Sequence, residues 1–287
     1  MNLIKWRWIE KDFGFRFKTA QGRRTTEYYQ GATVNDFYVI PGNLRKFDAA
    51  RLNTLANGVV APPGFRVISN PWRYYDRNWD WIETQDGICL NYAGCLDRED
   101  IDRREDEGVA RAMEHVTDLV LRPGPVALTL TLIRALHREL MGLIYPFAGT
   151  WRTVALHKGE GPTKWPLPPG GIEPFMDVLE RDVLSRSPFL SEVDQEVYAY
   201  ASEVMNEFLA IHPFREGNGR TAFVIGNLIL MQNSLLPLNV YDRKNDEGRY
   251  LGACEAGRIS KDYGPLARLI GEWEEMAMDR LEDEHGE

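Results

Sequence analysis

Two apolar periodicities meet at a break running from His212 to Arg220, and no other feature constrains the fold as much. Upstream, Val193, Val197, Tyr200, Val204, Phe208 and Ile211 recur at steps of three and four, which predicts a helix over 194–211 with one buried face. Downstream, the run Ala222 to Met231 is too long for most strands and reads as a core helix. Pro213 disfavours helical geometry at the residue before it, so the first helix stops at His212. Gly217, Asn218 and Gly219 then form a turn that opens the second.

The helical pattern begins near Leu96. Asp102 to Leu121 is charged and then amphipathic, and Pro123 and Pro125 interrupt it. Val126 to Ile144 resumes with Leu128, Leu132, Ala135, Leu136 and Leu140 on one stripe. The run Arg98 to Glu107 reads as an exposed helix face. His137, within an amphipathic helix, reads as a packed or surface residue rather than a functional one. Trp151 to Gly171, punctuated by proline and glycine, reads as a hairpin-like loop between helices. The fold class is mainly α.

The first 82 residues differ in kind. They hold 13 Lys/Arg and 7 Asp/Glu, a net of +6, whereas the whole chain of 287 residues is at −9. Trp6 and Trp8 alternate with Lys5 and Arg7, and Phe13, Phe15 and Phe17 with Gly14 and Arg16, the period of half-buried strands joined by a turn near Glu10 to Asp12. Pro41-Gly42, Asn57-Gly58 and Pro62-Pro63-Gly64 exclude long helices there, with a short one expected near 43–57. The chain therefore divides into a small, basic, aromatic and partly β module at 1–95, a helical domain at 96–277 and an acidic tail at 278–287. Interleaved Arg/Lys and aromatic residues also suit single-stranded nucleic acid. A small β module needs the same aromatics for its own core, so docking or structure is the reading taken and nucleic acid is not expected as a partner.

Several classes are excluded. Hydrophobic residues at 44% and charged residues at 27% are globular values, against disorder or a fibre. No apolar run approaches a membrane span, and Lys5, Arg7, Glu10, Lys11 and Asp12 break any signal-like block, so a cytoplasmic protein without membrane contact is expected. Specialised secretion as a toxin or effector stays compatible with that. Cys89, Cys95 and Cys254 lack paired spacing, so neither a disulfide framework nor a zinc site is expected.

The break carries the chemistry. A histidine at a helix C-terminus sits at the negative end of the dipole, which favours imidazolium and suits His212 to accept a proton. A glycine-rich turn opening a helix presents backbone N–H groups to an anion, for which phosphate is the natural ligand. Arg220 in the first turn adds a charge-assisted contact. Glu216 offers one carboxylate to a Mg²⁺ completed by phosphate oxygens and water. Together these make a phosphoryl or nucleotidyl transfer site.

The stretch His212-Pro213-Phe214-Arg215-Glu216-Gly217-Asn218-Gly219-Arg220 resembles the Fic family motif, His-x-Phe-x-Asp/Glu-Gly-Asn-Gly-Arg-x-x-Arg. Leu136-His137 to Gly149 with Trp151-Arg152-Thr153-Val154, and Arg249-Tyr250-Leu251 to Asp262-Tyr263-Gly264-Pro265-Leu266, extend the resemblance over 96–277. It implies a Fic-type helical core with a β-hairpin flap at 157–169 that aligns a target by strand pairing. It also implies Mg-dependent transfer of AMP from ATP to a Ser, Thr or Tyr hydroxyl of a protein, self-modification included. His212 is then the base, Phe214 the anchor of the loop, and Glu216 the metal ligand. Gly217, Asn218, Gly219 and Arg220 hold the phosphates, with Asn218 and Arg220 counted as catalytic beside His212 and Glu216. From the residues themselves, His157 and Lys158 read as contacts to nucleotide or target or as a solvated loop, and Tyr250 and Tyr263 as lining a base pocket or as core or rim packing; Lys158 and Tyr250 are counted as nucleotide-binding. Transfer of UMP or phosphocholine, and nucleotide binding without turnover, are the alternatives. The family's second arginine is Phe223 here, and Glu107-Gly108 follows Arg103 where the family's inhibitory motif has Ser or Thr. Both departures fit an enzyme free of that switch, an altered donor or a lapsed enzyme. Phe223 itself reads as core packing among Ala222, Val224 and Ile225.

Overall fold

A computed structural model describes residues 53–55, 58–60, 64–67, 82–94, 96–157, 164–168, 170–238 and 243–285, together with strands at 5–9 and 14–18. The aromatic alternation does form strands. β1 (Lys5–Ile9) pairs antiparallel with β2 (Gly14–Lys18), Trp6 opposite Phe17 and Trp8 opposite Phe15. β3 (Asn53–Leu55) pairs with β4 (Gly58–Val60), so a strand stands at the end of the short helix expected over 43–57; its earlier residues lie outside the described ones. β5 (Phe65–Val67) pairs with β6 (Ile82–Thr84).

Beyond β6 the chain folds onto the helical core. The Thr84 N–H donates to the Ile88 carbonyl at 2.7 Å and the Tyr92 N–H to the Ile144 carbonyl at 2.8 Å. Ile88 and Cys89 are buried within that core.

Helix α1 (Arg98–Val120) starts where the Asp97 side chain accepts the Glu99 N–H at 3.2 Å, with Glu99 and Asp100 in the positive first turn. Its buried stripe is Ile101, Glu105, Gly108, Ala112, Val116 and Leu119. The reading of 98–107 as an exposed face holds except at Ile101 and Glu105, which puts a carboxylate on the apolar stripe. α2 (Leu130–Met141) begins at the Thr129 cap, four residues later than its pattern suggested. α1 crosses α2 at Gly108, where a Cβ would strike the Leu140 carbonyl. β7 (Leu156–His157) and β8 (Lys164–Trp165) pair Leu156 with Trp165 and His157 with Lys164, so the loop between the helices is a hairpin.

α3 (Glu173–Asp182), with Pro174 in its first turn, precedes α4 (Asp194–Ile211) and α5 (Asn218–Gln232). α4 and α5 are the central pair; α1 packs on α5, and α6 (Arg243–Ser260) and α7 (Gly264–His285) pack on α4. Phe208, Phe214, Ala222, Ile225 and Leu228 are fully buried between them. The architecture is the mainly helical core with a hairpin flap that the resemblance implied. No helix among the described residues is long and apolar enough to cross a membrane.

Candidate functional site

The α4 helix ends at His212 as expected, but the way it ends was not legible. His212 caps it with φ 52° and ψ 60°, left-handed backbone for a non-glycine residue. Proline excludes the right-handed alternative, and the conformation costs about 1–2 kcal/mol that neighbouring contacts must offset. Those contacts come from Arg152, which is 3% exposed. Its N–H donates to the Pro213 carbonyl at 2.8 Å and its Nε to the His212 carbonyl at 2.7 Å. The imidazole Nδ1 lies 3.2 Å from the Leu209 carbonyl. A carbonyl only accepts, so Nδ1 carries a proton, and whenever the ring is neutral the lone pair is on Nε2.

Phe214 anchors the loop. It is fully buried, stacked on His137 with centroids 3.7 Å apart, with Trp151 4.9 Å away. Of the packed and surface placements open to it, His137 takes the packed one, and it also spans two turns. Its Nδ1 accepts the Gly149 N–H at 2.7 Å, and its Nε2–H donates to the Glu216 carbonyl at 3.0 Å. Burial drives its pKa down to about 4, so the ring is neutral at physiological pH.

Asn218 closes the loop from the other side. Its Oδ1 accepts the Phe214 N–H at 2.9 Å and its Nδ2 donates to the Phe214 carbonyl at 2.7 Å. The amide therefore shapes the anion turn. Gly217 stands at φ 77° just before α5, and a Cβ there would strike the Met141 side chain. The first-turn N–H groups of α5 thus open beside Glu216 in the geometry that takes an anion.

Glu216 has a partly exposed carboxylate, with Oε1 3.8 Å from Cys89 Sγ and 3.7 Å from Arg215 Nη1. Arg215 in turn is paired with Glu83 of β6, both buried. Arg220 is bound through Nη1 to Glu105 Oε2 at 2.6 Å and through Nη2 to Asp106 Oδ1 at 3.4 Å. Tyr145 donates to the other Glu105 oxygen at 2.7 Å. Burial raises the Glu105 pKa, Arg220 opposes that, and the Glu216 charge adds to it.

Phe223 packs among aromatics: its ring centroid is 5.0 Å from Tyr250 and 6.0 Å from Trp273. Tyr250 is 7% exposed and forms the α6 side of that cluster. Lys158 and the remainder of the flap at 158–163 lie outside the described residues, as does the His157 side chain.

Glu83, Cys89, Glu105, Arg152 and Trp165 complete the surroundings and were not read as site residues in the sequence, although Arg152 lies in a segment that carries the resemblance. For Glu105 a signal existed: it shares the three-and-four spacing of Ile101, Gly108 and Ala112. For Glu83, Cys89 and Trp165, the signal is pairing across the fold.

The sequence pattern of the Fic/DOC family matches residues 127–230, from α2 to α5. Probable protein adenylyltransferase y4lH of Sinorhizobium fredii (strain NBRC 101917 / NGR234) is 34% identical over 138 residues, 48% of this chain and 68% of that protein. Protein adenylyltransferase Fic of Nematostella vectensis is 25% identical over 181 residues, 62% of this chain, which spans only 40% of that longer protein. In fold, the N-terminal FIC domain of Bep8 from Bartonella sp. 1-1C superposes with a TM-score of 0.54 at 16% identity, over 64% of this chain and 88% of that one. BepC of Bartonella tribocorum, solved with bound AMPPNP, superposes at 0.52 and 18% identity over 65% and 90%.

Proposed function

The chain belongs to the Fic/DOC family, and we propose that it transfers AMP from ATP to a Ser, Thr or Tyr hydroxyl of a protein, itself or a partner. The observation that carries this is His212 with its proton held on Nδ1 by Leu209, one short loop from the N-terminus of α5. The relatives named as protein adenylyltransferases support the same reading.

The target oxygen attacks the α-phosphorus and a new O–P bond forms. The bond from that phosphorus to the bridging oxygen breaks, pyrophosphate leaves, and the hydroxyl proton passes to His212 Nε2. The N–H groups around Gly217 to Gly219 receive phosphate oxygens, with Arg220 beside them. Glu105 and Asp106 hold Arg220 from α1. The Asn218 side chain and His137 keep the loop in shape.

Glu216 would hold Mg²⁺. One partly exposed carboxylate, with no cluster of three or more His, Cys, Asp or Glu among the described residues, suits an ion that takes its other ligands from phosphate and water. When bound, the ion neutralises phosphate charge. Catalysis is assigned to 96–277, with 82–90 braced against its loop through Glu83 and Cys89.

Intact-mass measurement after incubation with ATP and Mg²⁺ tests this. The parent should gain one AMP, on itself or on an added target. His212→Ala should lose that gain and still bind nucleotide. An alanine variant labelling at the parent's rate would remove His212 from the role of base.

A further inference from the structure

The flap touches the base directly. Trp165, at the end of β8, lies flat on the His212 imidazole, with ring centroids 3.9 Å apart and planes 20° from parallel. Its Nε1–H donates to the Leu209 carbonyl at 3.2 Å. That is the same oxygen that receives His212 Nδ1–H. One carbonyl, with two lone pairs, sets the register of both rings.

The backbone under them is tied in the same way. The Arg152 guanidinium donates to the Val154 carbonyl at 2.6 Å and the Pro166 carbonyl at 3.1 Å, one before β7 and one after β8. It also reaches the Ile211 carbonyl at 3.4 Å, besides the His212 carbonyl already described. Both feet of the flap and the last carbonyls of α4 therefore share a single buried cation.

We propose that Trp165 is a positioning residue for His212, so that seating the flap and aligning the base are one event. The proposal rests on the reading of His212 as the base. A hydrogen bond at Nδ1 does not by itself fix an imidazole's broad χ2 torsion or its tautomer. The indole on its face removes the torsional freedom. Its electron-rich face also favours the cation that forms when Nε2 takes the target proton. A target segment pairing with the flap loads the element that carries Trp165.

The test uses the full chain with Trp165→Ala and Trp165→Phe. Trp165→Ala should lower kcat about 10- to 100-fold, the penalty for a misplaced catalytic group, while KM for ATP stays within about twofold because the nucleotide turn is untouched. Trp165→Phe keeps a ring on the imidazole and should recover most of that loss. Nitrogen-15 spectra of the histidine side chains report which ring nitrogen is protonated. Only five histidines are present, and His212→Ala identifies the signal. The parent should show Nδ1–H, and Trp165→Ala a mixture of tautomers, with circular dichroism confirming that both remain folded.

An unchanged kcat in Trp165→Ala, or a phenylalanine variant as slow as alanine, overturns the proposal. The spectra need no turnover. A parent that transfers nothing defeats the functional reading, and the tautomer still decides this one: a pure Nδ1–H signal in Trp165→Ala overturns it.

Discussion

His137→Phe separates a histidine that merely fills space from one that titrates against the fold. The ring is wholly buried and its pKa is pushed down from 6.5 to about 4. Between those values the unfolded chain binds a proton that the native protein refuses, so native stability rises with pH and is lost as pH falls through the window. The full difference corresponds to about 3 kcal/mol, of which about 2 kcal/mol is lost between pH 7.5 and pH 5. Phenylalanine keeps the stack on Phe214 but leaves the Gly149 N–H and the Glu216 carbonyl without His137, which costs about 2–4 kcal/mol near neutrality. The variant has no proton to gain at this position. Its deficit relative to the parent should therefore shrink by about 2 kcal/mol between pH 7.5 and pH 5. Urea unfolding followed by circular dichroism at pH 7.5, 6 and 5 measures this, because the remaining histidines and all carboxylates are common to both proteins. A deficit that is constant with pH would refute the reasoning, because native His137 would then take up its proton over the same range as in the unfolded chain.

Two further substitutions test contacts across the fold. Glu83→Ala removes the closest carboxylate from Arg215, a buried guanidinium beside the loop, and should destabilise the protein by about 3–5 kcal/mol in thermal or urea unfolding; a loss under about 1 kcal/mol would show that the other contacts of Arg215, Glu216 included, suffice and that β6 does not brace the site. Phe223→Arg places a charge against Tyr250 and Trp273 and should lower stability by about 2–4 kcal/mol with little selective gain for ATP over ADP in calorimetry; a stable variant that binds ATP selectively would mean the ring position faces phosphate.

Local chemistry decided a great deal from the sequence. The three-and-four spacing from Val193 to Ile211, stopped by Pro213, matches α4 residue for residue, and the glycine turn opens α5. Helix periodicity, proline stops and glycine turns act over a few residues, so they survive in the linear order. The nine-residue motif was legible for the same reason, as was the burial of Phe214. What the tertiary structure alone decided are the partnerships: Glu105 with Arg220 across 115 residues, His137 with the Glu216 carbonyl across 79, and Trp165 on His212 across the flap. Arg152 looks like any arginine until four carbonyls from two elements converge on it. Such contacts depend on how whole helices pack, and packing is set by the summed burial of distant apolar faces, which no short window contains.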